Sequence, residues 1–293
     1  METVGKLETA PVEAALAYAK RGWKVFPVFE PVFGKDGSLS CACGNPHSGD
    51  IGKHPRTPHG FKEATSDRAT IEEWRTAWPN ANVGIATGKA SGLLVIDVDG
   101  PEGQAALNEL QEQHGCLPLT LQAKTGKGFH LYFRLPEEVR IPSSTGRLGR
   151  SIDVRGESGY VVAPPSRHAS GITYAWENEG TELAMLPPEW VEQLKNAAGT
   201  SRLKGETRMN KTKNEEKGTI PEGTRNSTLF ERAALLNSRG VPQEEIGESV
   251  RQWNEAECSV PLGDCELERL MHSAAAYGRP RFQDRHRGAR SHR

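Results

Sequence analysis

The sequence has no apolar run approaching the ~20 residues that span a bilayer. Its polar N-terminus carries no signal-peptide core, so a soluble, cytoplasmic protein is expected. It also lacks an even cysteine framework. Five cysteines in 293 residues fit a reducing compartment, where thiols serve metals or the core more often than disulfides. Neither sign of charge is in excess: 37 Lys and Arg against 38 Asp and Glu give a net −1, which argues neither for nor against nucleic acid. No internal repeat or exposed heptad is present, so a monomer is the expectation. Two nucleotide signatures fail as well. Gly84-x3-Gly88-Lys89 is one residue short of a phosphate loop, with Ala90 where Ser or Thr belongs, and Gly126-Lys127-Gly128 meets Leu131 where a dinucleotide fold needs its third glycine. What remains is a loop-rich composition, with 31 Gly and 19 Pro, on a chain long enough for one large or two smaller domains.

The most informative stretch is Leu93-Leu94-Val95-Ile96-Asp97-Val98-Asp99-Gly100. Four apolar residues followed by alternation read as a buried strand running into a turn at Gly100-Pro101. Alternation puts Asp97 and Asp99 on one face, with Cα atoms roughly 6.5 to 7 Å apart. Two carboxylates at the end of a buried strand repel and lose hydration, so a positive partner is expected between them, a divalent metal most simply. The plainer alternative is a pair of solvated aspartates beside a turn. An EF-hand is a poorer reading, since counting from Asp97 puts Pro101 at a ligand position and Glu102 where the turn needs glycine.

Before this strand, Pro11 to Arg21 has helical spacing of apolar residues closed by Gly22, and Trp23 to Phe29 reads as a strand. Glu30 to Gly60 is Gly- and Pro-rich and too polar for core. It holds Cys41, Cys43, His47 and His54, two thiolates and two imidazoles, which is the donor set of a structural Zn2+. His59 could replace either histidine, and the alternative is a loop with two free thiols. Thr70-x-x-Glu73 reads as a capping box ahead of a helix that Pro79 ends, and Asn82 to Thr87 as a short strand.

After Asp99, Glu102 to His114 is an amphipathic helix. Leu119 to Lys124 and Phe129 to Leu135 read as strands joined by Thr125-Gly126-Lys127-Gly128, a turn able to offer backbone N–H groups, a hydroxyl and one cation to phosphate. His130 and Tyr132 fall on one strand face, opposite Leu131 and Phe133. Ser151 to Gly156 alternates again, with Asp153 and Arg155 on one face, and further strands are expected at Gly159 to Ala163 and Ile172 to Trp176. Each of these polar groups has an ordinary structural reading. Three alternating strands that all offer metal- or phosphate-binding groups make that reading weaker jointly than singly.

Beyond a helix at Pro188 to Lys195, the stretch 197–217 is polar and nearly without large apolar residues, which is linker chemistry. Residues 218–280 then show three amphipathic helices separated by Gly240-Val241-Pro242 and Val260-Pro261-Leu262-Gly263. From Arg279 to Arg293 there are six arginines against the single Asp284, a basic tail suited to polyanions or to solvent.

Taken together the chain resembles the primase-polymerase (prim-pol) family of the archaeo-eukaryotic primase superfamily over about residues 11–195. The resemblance rests on Gly52-Lys53-His54-Pro55, Asn82 to Gly88, Val95 to Gly100, Thr125 to Phe133, Ile152 to Gly156 and Val161 to Ser166, and on their order and spacing. Residues 218–280 resemble the helical primase C-terminal domain through Gly223-Thr224-Arg225-Asn226, Asn254 and Pro261-Leu262. It implies an α+β fold: a catalytic domain at 1–196 with a central mixed or antiparallel sheet flanked by helices and a zinc-loop insertion at about 30–60. A small all-α domain would follow. By the same resemblance Asp97, Asp99 and Asp153 are the ligands of two catalytic Mg2+ or Mn2+ ions and His130 is the nucleotide-binding histidine. Gly128 stands where relatives often carry a small hydroxyl residue. Lys127, Thr125 and Arg155 would bind nucleotide phosphates. The implied activity is primer synthesis on single-stranded DNA and extension with dNTPs or NTPs in the replication of a plasmid, phage or integrated element, with any helicase a separate chain. A catalytically silent single-stranded-DNA-binding initiator of the same fold is the alternative. A D-x-D glycosyltransferase accounts for neither His130 nor Asp153.

Overall fold

The computed structural model describes residues 11–45, 51–199, 220–221 and 225–276. His47, nearly all of the expected linker and the basic tail at 281–293 lie outside them. The chain forms two compact units, Met1–Lys204 and Gly205–Arg293. No helix among the described residues is long and apolar enough to cross a membrane.

The first unit opens with helix α1 (Pro11–Lys20), followed by β1 (Val25–Val28), a hairpin of β2 (Pro31–Phe33) and β3 (Leu39–Cys41), α2 (Arg68–Ala77), β4 (Asn82–Ala86) and β5 (Leu93–Asp99). Next come α3 (Gly100–His114), β6 (Leu121–Lys124), β7 (Gly128–Arg134), β8 (Ser144–Gly149), β9 (Ile152–Arg155), β10 (Tyr160–Ala163), β11 (Ala175–Trp176), β12 (Ala184–Met185) and α4 (Pro188–Gly199). The expected single central sheet is two sheets. A three-stranded antiparallel one runs β1-β4-β10, and a seven-stranded one runs β11-β6-β7-β5-β9-β8 with β12 added parallel to β7. The class is α+β as expected, and the sheet is mixed only through β12.

The core explains why β5 begins as an unbroken apolar run. Leu93 and Val95 face one way, packing with Val83, Ile85, Val161 and Ala163 of the small sheet and with Ala14, Ala15 and Tyr18 of α1. Leu94, Ile96 and Val98 face the other way, against Leu107 of α3 and Trp190 and Leu194 of α4. A strand covered on both faces needs apolar residues at every position, each contributing about 1.5–3 kcal/mol on burial. The same parity puts Asp97 and Asp99 on the face that looks toward the small sheet.

Three local readings shift. The cap of α2 is Asp67, whose carboxylate accepts from the Thr70 backbone N–H at 2.8 Å, so Thr70 is inside the helix and the expected capping box is not formed. Helix α3 starts directly at Gly100, not at Glu102. Gly100 turns the chain with φ +65°, open to glycine without strain, and Pro101 sits in the first turn, where its missing N–H costs nothing. Helix α4 runs through to Gly199, taking in the first residues assigned to the linker.

Among the described residues the second unit has three helices, α5 (Arg225–Ser238), α6 (Gln243–Glu257) and α7 (Asp264–Ala276), around Leu229, Ala233, Ile246, Val250, Leu267, Leu270 and Ala274. Buried Asn254 of α6 donates to the Leu262 carbonyl at 2.9 Å and accepts from the Leu262 N–H at 2.6 Å, pinning the α6–α7 loop. Arg225 donates to the Val260 carbonyl at 2.5 Å, and Asn226 to the Glu266 carboxylate at 2.6 Å. The motif residues of this unit therefore have structural work in holding its loops.

Candidate active site

The site is a row of side chains across adjacent strands of the large sheet. Asp97 on β5 lies directly opposite His130 on β7 and Asp153 on β9, while Val95 is paired with Arg155. Directly paired residues share a face. Asp97, Asp99, His130, Asp153 and Arg155 therefore all stand on one face, with strands about 4.8 Å apart. Asp99 ends β5 at the N-terminal end of α3. Its carboxylate makes no capping bond, and the helix end adds positive potential to that corner.

The positive partner expected between the two aspartates of one strand proves to be shared with the neighbouring strand. The Arg155 guanidinium contacts Asp153 Oδ2 at 2.7 Å and Asp97 Oδ2 at 3.8 Å. His130 Nε2 lies 3.3 Å from Asp97 Oδ1, and its Nδ1 lies 3.4 Å from the Tyr132 hydroxyl. Burial holds Tyr132 in its neutral form, so the network assigns Tyr132 O–H as donor to Nδ1 and Nε2–H as donor to Asp97. Burial pushes the Asp97 carboxyl up, but His130, Arg155 and Lys53 outweigh it and hold it below its ordinary value. Asp153 goes the other way. Burial raises it, and the negative charges of Asp97 and Asp99 add to that against the pull of Arg155 and the Gly146 N–H.

The face is less open than alternation alone suggested. His130 and Tyr132 are both buried, with Tyr132 under Trp23 and Trp176. The Thr125–Gly128 turn also differs from its expected role. Buried Thr125 accepts through Oγ1 from the Lys127 N–H at 3.3 Å and the Gly128 N–H at 3.0 Å, so this hydroxyl and both amides are engaged in forming the turn. Lys127 is left exposed beside it. Gly128 has a steric reason: a Cβ there would run into the carbonyl oxygen of Val98 on β5, so no hydroxyl residue fits.

Cys41, Cys43 and His54 come together, with all three ligand atoms within 4.8 Å of one another and Cys41 Sγ 3.7 Å from His54 Nε2. A tetrahedral Zn2+ with Zn–S near 2.3 Å and Zn–N near 2.05 Å separates an S and an N ligand by roughly 3.6 Å. The donor set and spacing fit a thiophilic ion. The three aspartates form no cluster of that tightness, but their all-oxygen donor set suits Mg2+ or Mn2+.

Sequence reasoning assigned no role to several residues near the site. Lys53, of the Gly52-Lys53-His54-Pro55 stretch, acts electrostatically on both Asp97 and His168. His168 packs its ring where a Cβ on Gly126 would stand, and burial, then Lys53 and Lys127, lower its proton affinity. Tyr174 lies with its ring centroid 6.0 Å from those of His130 and His168. Buried Asn82 ties two distant segments together, donating to the carbonyls of Gly52 at 3.0 Å and Arg167 at 2.8 Å and accepting from the Arg167 N–H at 2.8 Å. The available signal was a cluster of His, Arg and Tyr directly after Pro164-Pro165-Ser166.

Comparison with known proteins gives two family matches. Residues 15–190 match the bifunctional DNA primase/polymerase N-terminal family, and residues 214–278 match the primase C terminal 1 (PriCT-1) family. No curated protein matches the chain. Among solved structures, a crystal structure of primase RepB' aligns at 13% identity over 89% of this chain and 93% of its own, with a TM-score of 0.28, too low to superpose one fold on the other. The N-terminal match spans the whole row from Asp97 to Arg155, and the chain belongs to the bifunctional DNA primase/polymerase (Prim-Pol) family.

Proposed function

We propose that the protein is a DNA primase and DNA-directed polymerase that makes primers de novo on single-stranded DNA and extends them, in replication of a plasmid, phage or integrated element. The observation that carries this is the shared sheet face of Asp97, Asp99, Asp153 and His130, inside the span that matches the family. Asp97, Asp99 and Asp153 would hold two Mg2+ or Mn2+ ions, which when bound lower the pKa of the attacking 3'-hydroxyl and stabilise the leaving pyrophosphate.

The remaining work falls to side chains. His130 fixes Asp97 Oδ1 and keeps that carboxylate ionised and oriented. Arg155, now bridging Asp97 and Asp153, is the cation able to turn toward a triphosphate oxygen once those carboxylates are otherwise neutralised. Lys127, exposed on its turn, meets the same triphosphate. Thr125 shapes that turn. The partners are a single-stranded DNA template and dNTPs or NTPs, and the protein works as a cytoplasmic monomer. Cys41, Cys43 and His54, with His47 as fourth ligand, would hold a structural Zn2+.

The test is primer-free synthesis on mixed-sequence single-stranded DNA with labelled nucleotides and Mg2+ or Mn2+. Wild type should give short products. Asp97→Ala should lose roughly a thousandfold or more in rate, about 4 kcal/mol of barrier, with its melting temperature preserved. Undiminished synthesis by Asp97→Ala would remove the assignment, and DNA binding without any synthesis by wild type would leave the silent initiator.

A further inference from the structure

The metal cluster and the carboxylate row lie in different parts of the first unit, yet adjacent residues link them. His54 supplies the imidazole of the cluster, and the preceding Lys53 acts on Asp97. The backbone between them is held from three sides. The Tyr160 hydroxyl donates to the Lys53 carbonyl at 3.1 Å, the Phe29 N–H donates to the His54 carbonyl at 2.9 Å, and Asn82 Nδ2 donates to the Gly52 carbonyl. Gly52 adopts φ +79° and approaches so closely that a Cβ would stand 3.0 Å from Pro31 and 3.4 Å from the Arg167 carbonyl. Asn82 also clamps Arg167, next to His168, whose ring lies on Gly126 of the lysine-bearing turn.

Lys53 is half-buried, and no described carboxylate pairs with it. A half-buried lysine near a row of carboxylates, with the carbonyls of Gly52, Lys53 and His54 hydrogen-bonded, is set up to receive an anion that arrives at that row. The element carrying it, however, is a polar loop from Ile51 to Gly60 with little apolar contact of its own. Its anchors on the outer side are Arg56, which pairs with Glu30 at 2.8 Å, and His54 against Cys41 and Cys43, and of the two it is His54 that adjoins Lys53.

We infer that a thiophilic metal ion held by Cys41, Cys43 and His54 sets the affinity for the incoming nucleotide, by fixing Lys53 as a ligand of its triphosphate beside Asp97. This deepens the primase-polymerase reading and rests on it. The ion acts through position alone, since the cluster itself has no group that touches substrate. Loss of the ion then mimics loss of Lys53.

The test uses the full chain, with equilibrium binding of labelled dATP in Ca2+ and steady-state primer extension in Mg2+. Lys53→Ala should raise both the dATP Kd and KM about tenfold while changing kcat much less, and Lys53→Arg should restore most of the loss. Stripping the thiophilic ion from wild type with a chelator that spares Ca2+ should give the same rise, as should Cys43→Ser. The double variant Lys53→Ala/Cys43→Ser should be no worse than either single one. Because Cys43→Ser alone could unfold the loop, the chelator experiment and the Lys53 pair stand without it. A Kd within twofold of wild type for Lys53→Ala, or additive losses in the double variant, would overturn the coupling. If wild type neither binds dATP nor extends a primer, the primase-polymerase reading itself falls and the coupling with it. Normal wild-type binding with unaffected Lys53 variants removes only the coupling.

Discussion

At the scale of single residues, the site is governed by what each side chain is already bonded to. Asp97 is the clearest instance. Its two oxygens face different partners on different strands, the His130 imidazole and the Arg155 guanidinium, so it stays ionised in a buried place where burial alone would favour the neutral acid. Gly128 shows the same logic in sterics. Its Cα passes so near the Val98 carbonyl that even one methyl group displaces β5 between Asp97 and Asp99. Gly128→Ala should therefore destabilise the first unit by about 1–3 kcal/mol and reduce synthesis beyond what the stability loss explains, measured by urea denaturation alongside primer extension. A variant as stable and active as wild type would show that β5 yields freely. The aspartates, His130, Asp153 and Arg155 were legible in the sequence because strand alternation fixes the face of each. Lys53, His168 and Tyr174 were not, because nothing in a linear chain says that the segments around positions 53 and 168 are fastened to each other through Asn82.

At the scale of elements, periodicity located most strands and helices, and it misled where side-chain chemistry offered two equivalent starts. Asp67 and Thr70 both suit an N-cap, and the choice of Asp67 followed from chain direction out of the preceding extended segment. Alternation likewise could not reveal that β1, β4 and β10 separate into a second sheet, since that depends on which faces pack, as Leu93 and Val95 do with Ile85 and Val161. In the helical unit, Asn254 is the element-level keystone. Replacing it with Leu leaves the N–H and carbonyl of Leu262 unpaired in a buried place, and should cost roughly 2–4 kcal/mol. Hydrogen exchange should report it as faster exchange across α6 and α7 with α3 and β5 unchanged. Unchanged protection of α6 would mean that the loop repacks.

At the scale of the whole molecule, the division of labour follows the division of cores. Every residue of the carboxylate row belongs to the first unit, and the second unit has a self-contained core of its own. On the proposed function, extension needs a primer end, a template and one nucleotide at the carboxylates, all of which would be engaged by the first unit. Priming demands more, because two free nucleotides must be held together on the template without the affinity that a base-paired primer contributes. On the proposed function, that extra holding would fall to the helical unit. Removal of residues 218–293 should therefore leave extension of a supplied primer within about threefold of the full chain, while primer-free synthesis falls at least about tenfold. Circular dichroism and thermal melting of the shortened chain would establish that the first unit remains folded. Equal loss of both activities in a folded protein would assign the helical unit to template binding in general, and retention of both would leave it without a part in synthesis.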